Sequence, residues 1–338
     1  MGAKLGDLIV GEEISLDSLS GKKIAVDAYN TLYQFLTTIR QQDGTPLMDR
    51  SGRITSHLSG LFFRTSRLLK AGIKPAFVFD GKAPELKRQE RQRRSELKKD
   101  ALEKYKEAEA EGDVELMRKY ASRTATLTAQ MIEESKELIS LMGLPIIDAP
   151  SEGEAQAAHL VKKGEFYAVA SQDTDSLLFG ATRIIRNLSV SNKKKKGVTY
   201  VSVDPEKIEL SNVLIQNKLD QSQLIVLAIL CGTDFNIGGI KGIGPKKALA
   251  LLSKFDHSFD TLFEEVKWKE HFTTDWKEIY SIFEHIPVTD EYELKWSPIS
   301  HAALKEYLIA HDFSEERIES SLSELTKKQS QRGLSDFF

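Results

Sequence analysis

A chain of 338 residues, 41% hydrophobic and 29% charged, has the make-up of an ordinary folded globular protein with room for one large core or two modest ones. The net charge of −3 excludes a protein that is basic throughout, so any affinity for nucleic acid must come from local charge. Cys231 is the only cysteine, which excludes a disulfide framework or thiolate-rich zinc site. No apolar run approaches the ~20 residues of a membrane helix, so an intracellular protein without membrane contact is expected.

In chain order, "KKIAVDAYN", "KPAFVFDGK", "LPIIDAPSE" and "FYAVASQDTD" are short apolar runs without alternation, separated by helical spacing such as "HLSGLFFRTSRLLKAG". The pattern predicts an α/β fold: a mainly parallel central sheet with helices on both faces. Between Gly81 and Met131 the character changes. Residues 82–99 hold eight Lys or Arg against three Glu, and an acidic stretch, "DALEKYKEAEAEGDVE", follows; good helix formers and few core residues predict an exposed, mobile helical insertion. The lysines Lys193 to Lys196 stand between two expected strands as a basic hairpin tip. From Asp204 onward the pattern is mostly helical, and residues 326–338 are expected to be a flexible tail after a single domain of residues 1–325.

Each apolar run ends near an acid: Asp27, Asp80, Asp148 followed by Glu152 and Glu154, and Asp173 with Asp175. In open α/β sheets the ligand site lies beyond the carboxyl ends of the strands, where such distant residues meet. Asp173 and Asp175 point to one side of an extended segment. Two unit charges ~4 Å apart at an effective dielectric of ~20 repel by about 4 kcal/mol, so something positive should neutralise them. On their own the pair also fits a strand-end turn in which one acid caps the next helix, and "DTDS" has a faint likeness to the Asp-x-Asp of aspartyl-phosphate phosphatases. Ser151, with Glu154 three residues later, has the form of a capping box. Asp234 follows the apolar run that ends at Gly232 and Thr233. If Asp27, Asp80, Glu152, Glu154, Asp173, Asp175 and Asp234 share one cleft, hard divalent cations are the natural neutralisers, and Mg²⁺ suits an oxygen-only set. Phosphodiester hydrolysis is the chemistry this suggests.

"MGAKLGDLI", "VDAYNTLYQFL", "VFDGKAPELK", "DAPSEGEAQAA", "SQDTDSLLFG" and "GIGPKKAL", in this order and spacing, resemble the flap endonucleases of the XPG nuclease family, archaeal type. The resemblance covers essentially the whole chain and implies a 5′ flap endonuclease with 5′-3′ exonuclease activity, acting in Okazaki fragment maturation and base excision repair. It implies two Mg²⁺, with Mn²⁺ able to substitute: Asp27, Asp80, Glu152 and Glu154 nearer the first, Asp173, Asp175 and Asp234 nearer the second. Asp148 has no such role. The insertion at about 81–131 corresponds to a helical arch, in which Lys87, Arg91, Arg94 and Lys98 share a helical face and Lys87 and Arg94 match cations that stabilise the attacked phosphate. Tyr33 matches a tyrosine that stacks on a base, although in "TLYQFL" it also fits a core position. Arg40, Thr55, Arg64 and Arg67 match residues that grip the junction, and Lys193 and Lys194 are expected on duplex phosphates.

Residues 224–255 correspond to a helix–two-turn–helix, in which Gly242 and Gly244 admit the DNA backbone, Lys246 and Lys247 add charge, and the carbonyls of Gly239, Ile240 and Ile243 hold a K⁺. In the tail, Gln331, Leu334, Phe337 and Phe338 resemble the peptide that binds the sliding clamp PCNA. A monomer apart from the clamp is expected. The competing reading from another class, a branched-DNA binding protein that does not cut, sits poorly with a complete set of acids.

Overall fold

The structure, a computed structural model, describes residues 5–188, 193–196 and 199–335. A seven-stranded sheet forms its centre, built from β1 (Glu12–Glu13), β2 (Lys23–Asp27), β3 (Lys74–Phe79), β4 (Ile146–Asp148), β5 (Ala168–Ala170), β6 (Arg183–Arg186) and β9 (Glu206–Glu209). The spatial order is β1-β9-β6-β5-β2-β3-β4, with the five strands from β6 to β4 parallel and β9 antiparallel to both its neighbours. β7 (Lys193–Lys196) and β8 (Thr199–Ser202) pair separately as an antiparallel ribbon. The four lysines expected at a hairpin tip are thus themselves a strand, paired with the β-formers of "TYVS".

The parallel strands bury both faces, which is why their sequences do not alternate between apolar and polar. Ala25, Ala76, Val78, Val169 and Ile184 face one apolar cluster, while Ile24, Val26, Phe77, Phe79 and Ala170 face a second. The first is covered by α6 (Gly153–Lys162), α7 (Asp175–Leu178), α8 (Leu210–Asn217), α9 (Gln221–Cys231), α10 (Pro245–Phe255), α11 (Phe259–Glu265), α12 (Trp268–His271) and α13 (Trp276–His285). On the other side lie α1 (Ala28–Thr38), α2 (Ser56–Lys70), α5 (Ala129–Leu141), α14 (His301–Ala310) and α15 (Glu315–Ser335). Two helices stand off this body: α3 (Arg88–Glu111), whose only buried residues are Glu90, Ala101 and Ala108, and α4 (Val114–Ala121). For α3 this follows from composition, since a helix polar on nearly every side has no stripe to bury.

The chain winds from β2 outward through β3 to β4, then crosses back to β5 on the other flank of β2. That reversal opens a crevice at the carboxyl ends of β2, β3 and β5, where α/β sheets hold their ligands. No helix among the described residues is long and apolar enough to cross a membrane. Residues 326–335, expected as a flexible tail, continue the backbone of α15 to Ser335; "ELTKKQSQR" is rich in good helix formers. Gln331 and Leu334 fall on this stretch, and Phe337 and Phe338 lie outside the described residues.

Candidate active site

Asp27 closes β2 and caps α1: one carboxylate oxygen accepts the Asn30 amide (3.0 Å) and the other the Ser171 hydroxyl (3.1 Å). Asp80 follows β3 and reaches across the crevice to accept the Gly153 amide at 2.7 Å, the first N–H of α6. The first N–H of α6 is thus taken by a carboxylate from a neighbouring strand end, and the capping box expected at Ser151 is absent. Glu152 is the N-cap residue without a side-chain cap, and the Ser151 hydroxyl donates to the Lys82 carbonyl at 3.1 Å. The reading fails because local spacing carries no information about an acid 73 residues away.

Glu154 sits in the first turn of α6, and Asp175 opens α7 at 7% exposure. Asp173 is held by its own backbone, its amide donating to Ser171 Oγ (3.1 Å) while its carboxylate accepts the Thr174 amide (2.8 Å). Neither acid of the pair is the side-chain cap of α7, whose N-cap is Thr174. Asp234 lies beyond α9, where Gly232 turns the chain at φ +102° with its Cα packed so closely on Gly238 and Gly239 that a side chain would not fit.

Asp27, Asp80, Glu152, Glu154, Asp173 and Asp234 line one cavity of about 720 Å³, and Tyr33, Lys87, Arg94 and Lys98 line it with them. Asp175 is not among the lining residues, yet its charge acts on Glu154. Crowding is written into the acidities. Burial and then Asp80 push Asp27 up to about 7; burial and then Glu152 push Asp80 up to about 6. Glu154 is raised well above the usual carboxylate range by burial and by Asp173, Asp175 and Asp27.

Two cations from the insertion answer part of this charge. Lys87 bonds Glu152 and lies 3.5 Å from Asp234, and Arg94 Nη2 donates to both oxygens of Asp234 at 2.8 and 2.9 Å. Burial alone would lower the pKa of each, but Glu152 and Asp234 for Lys87, and Asp234 and Glu90 for Arg94, hold both cations firmly protonated. Lys98 stands 5.3 Å from the ring centre of Tyr33, which is 39% exposed and so belongs to the cavity wall rather than the core. Of the four cations expected on one helical face, Lys87, Arg94 and Lys98 do reach the cavity together, and Arg91 does not. Lys87 belongs to a 3₁₀ turn, Glu85–Lys87, that precedes α3, and Arg91 is exposed away from the cavity.

The donor set is all oxygen, crowded and under-neutralised, which fits hard divalent cations. Among the described residues no three of these acids converge tightly enough to chelate an ion unaided, so an ion here would complete its shell with water or substrate oxygens, as Mg²⁺ commonly does.

The remaining expected contacts lie elsewhere. Arg40 donates from Nη1 to the Gly44 carbonyl at 2.8 Å, Thr55 is buried at the start of α2, and Arg64 and Arg67 are half-buried along it; none lines the cavity. Gly244 is the N-cap of α10, with Pro245 in its first turn and Lys246 and Lys247 exposed beside it; Gly242 has φ +81°. Ile240 and Ile243 are buried, and the Ile240 carbonyl already accepts the Ile243 amide at 3.0 Å. The lysines of β7 have a described backbone only. Asp148 pairs with Lys136 at 2.8 Å on the surface.

Sequence reasoning passed over Asn30 and Ser171, which orient Asp27, and Tyr29, Tyr120 and Leu127, which line the cavity. It also passed over Glu90, 2% exposed inside the basic run; an acid four residues before Arg94 in "ERQRR" was the available signal.

Two family models match the chain, the XPG N-terminal domain over residues 6–101 and the XPG I-region over residues 143–234. Flap endonuclease 1 of Pyrococcus horikoshii is 53% identical over 331 residues, 97% of this chain and 94% of the relative. That of Staphylothermus marinus is 47% identical over 351 residues, covering all of both chains. Among solved structures, flap endonuclease-1 from Methanococcus jannaschii superposes with TM-score 0.77 at 42% identity, covering 98% of this chain and all of that one. The catalytic core of Rad2 in complex with DNA substrate gives 0.70 at 26%, covering 96% and all.

Proposed function

Because this chain belongs to the flap endonuclease 1 family of XPG nucleases, we propose that its acid-lined cavity hydrolyses a DNA phosphodiester beside the junction of a 5′ flap, with 5′-3′ exonuclease action at the same site. The observation that carries the reading is the meeting of six acids from four strand ends and a distant helix end with Lys87 and Arg94 in one cavity. Two Mg²⁺ among Asp27, Asp80, Glu152, Glu154, Asp173, Asp175 and Asp234, with Mn²⁺ able to replace them, would clamp phosphate oxygens and make a water nucleophilic near neutral pH.

The chain's own groups do the rest. Lys87 and Arg94, already poised over the acids, turn their N–H groups to the non-bridging oxygens as charge builds on phosphorus. Tyr33 offers its exposed face to the base beside the cut, where stacking tolerates any sequence. Ser171 and Asn30 hold Asp27, and the Gly153 amide holds Asp80, so that the acids do not reorganise during the reaction. Lys246, Lys247 and the free amides at the start of α10 grip a duplex phosphate, as do Lys193 and Lys194, with Arg40, Thr55, Arg64 and Arg67 at the junction. The carbonyls of Gly239, Ile240 and Ile243 offer lone pairs for a K⁺ in that turn. The arch of residues 81–131 frames the 5′ strand. Gln331, Leu334, Phe337 and Phe338 recruit a monomeric enzyme to the sliding clamp PCNA during Okazaki fragment maturation and base excision repair.

The test sets labelled 5′-flap, nicked and single-stranded DNA beside one another with Mg²⁺, for the wild type and Asp175→Asn. Cutting of the flap by the wild type, with binding kept and cutting lost in the variant, is expected. A wild type that binds the flap and cuts nothing with any divalent ion would leave only a branched-DNA binding protein.

A further inference from the structure

Glu90 is 2% exposed on a helix that is otherwise nearly all solvated. A buried carboxylate is costly unless fully paired. Both its oxygens are used: Oε1 accepts Arg94 Nε (2.7 Å) and Arg93 Nη2 (2.8 Å), and Oε2 accepts Arg93 Nε (2.7 Å). An exposed Glu–Arg pair at this spacing would be only a minor helix stabiliser. This one is sequestered, and it holds the single guanidinium that also reaches Asp234.

Arg94 is thereby stretched between two acids, Nε on Glu90 and Nη2 on Asp234. The two anchors differ in kind. Asp234 is a wall of the cavity and sits where substrate charge would compete for Nη2, whereas Glu90 lies on the arch itself, three and four residues from its partners.

Resting on the flap-cleaving reading above, we propose that Glu90 is a positioning residue for the reaction: it fixes Arg94 by Nε so that Nη2 can move from Asp234 to a phosphate oxygen without the side chain losing its aim. A flexible arginine in the same place would first have to be ordered, and its contribution to the transition state would shrink.

The test is a double-mutant cycle of wild type, Glu90→Ala, Arg94→Ala and the double variant. The readouts are single-turnover cleavage of a 5′ flap and, separately, flap affinity in Ca²⁺. Glu90→Ala should slow cleavage about 10–100-fold while affinity changes less than about 3-fold, and in the Arg94→Ala background the same change should cost less than about 3-fold in rate. Glu90→Gln keeps one acceptor and the volume, so it should fold where Ala does not and lose about 3–10-fold in rate. Equal rate losses in both Arg94 backgrounds, a fall in affinity matching the fall in rate, or an undisturbed Glu90→Gln would each overturn the assignment. A wild type that fails to cut would instead overturn the functional reading itself.

Discussion

Asp27 combines three roles at one residue: last of a core strand, cap of a helix and member of a charged cluster. Its acidity, raised to about 7 by burial and by Asp80, has a consequence for stability. Between its ordinary value of about 4 and that of about 7, the native state of the metal-free protein holds more protons than the unfolded chain, so stability falls as pH rises through this window. Asp27→Asn should therefore raise the Tm of metal-free protein at pH 8 by about 2–4 °C, with less than about half of that advantage left at pH 5, while abolishing cleavage. A scan in chelator at both pH values checks it, and a Tm gain of the same size at both would contradict it. Asp27, Asp80, Glu152, Glu154 and Asp173 were legible because strand ends converge in an α/β sheet, whereas Asp234 follows a helix, and the groups that hold these acids were not legible. Ser171 and Gly153 bond Asp27 and Asp80 across the register of separate strands, and no local spacing encodes that pairing.

Among the elements, the strands were the most legible, since a doubly covered parallel sheet needs unalternating apolar runs. Helix ends were less so: α6 begins under an acid that follows β3, α3 begins only after a 3₁₀ turn that holds Lys87, and α15 runs to Ser335. Close helix packing has a sequence trace only in retrospect. Gly60 in α2 faces Phe35 of α1, and a Cβ there would stand 2.2 Å from the ring. Gly60→Ala should accordingly destabilise by about 1–3 kcal/mol despite the better helix propensity of alanine. Chemical denaturation measures this directly, and unchanged or greater stability would show that α1 and α2 are less tightly seated than described.

At the scale of the whole molecule, the net charge of −3 concealed a division of labour. The 50 acidic residues outnumber 47 basic ones, but seven of the acids belong to the proposed site, leaving the rest of the chain slightly basic. The helix that supplies Arg94 is polar on nearly every side, so its hold on the acids includes ion pairs that substrate can exchange. The proposed recruitment is separable from the proposed chemistry: deleting Gln331 to Phe338 should abolish binding to PCNA and leave intrinsic flap cleavage nearly unchanged, and equal clamp affinity with and without these residues would dismiss that role. The central claim is that the crowded acids exist to hold divalent ions against DNA. Its most direct measurement titrates Mn²⁺ into the protein bound to a 5′ flap made uncleavable at the junction, counting bound ions from the loss of the free-ion electron paramagnetic resonance signal. We expect two ions per complex, as in two-metal sites generally, and weakened uptake in Asp175→Asn; a complex that takes up no ion at concentrations supporting cleavage would contradict the account.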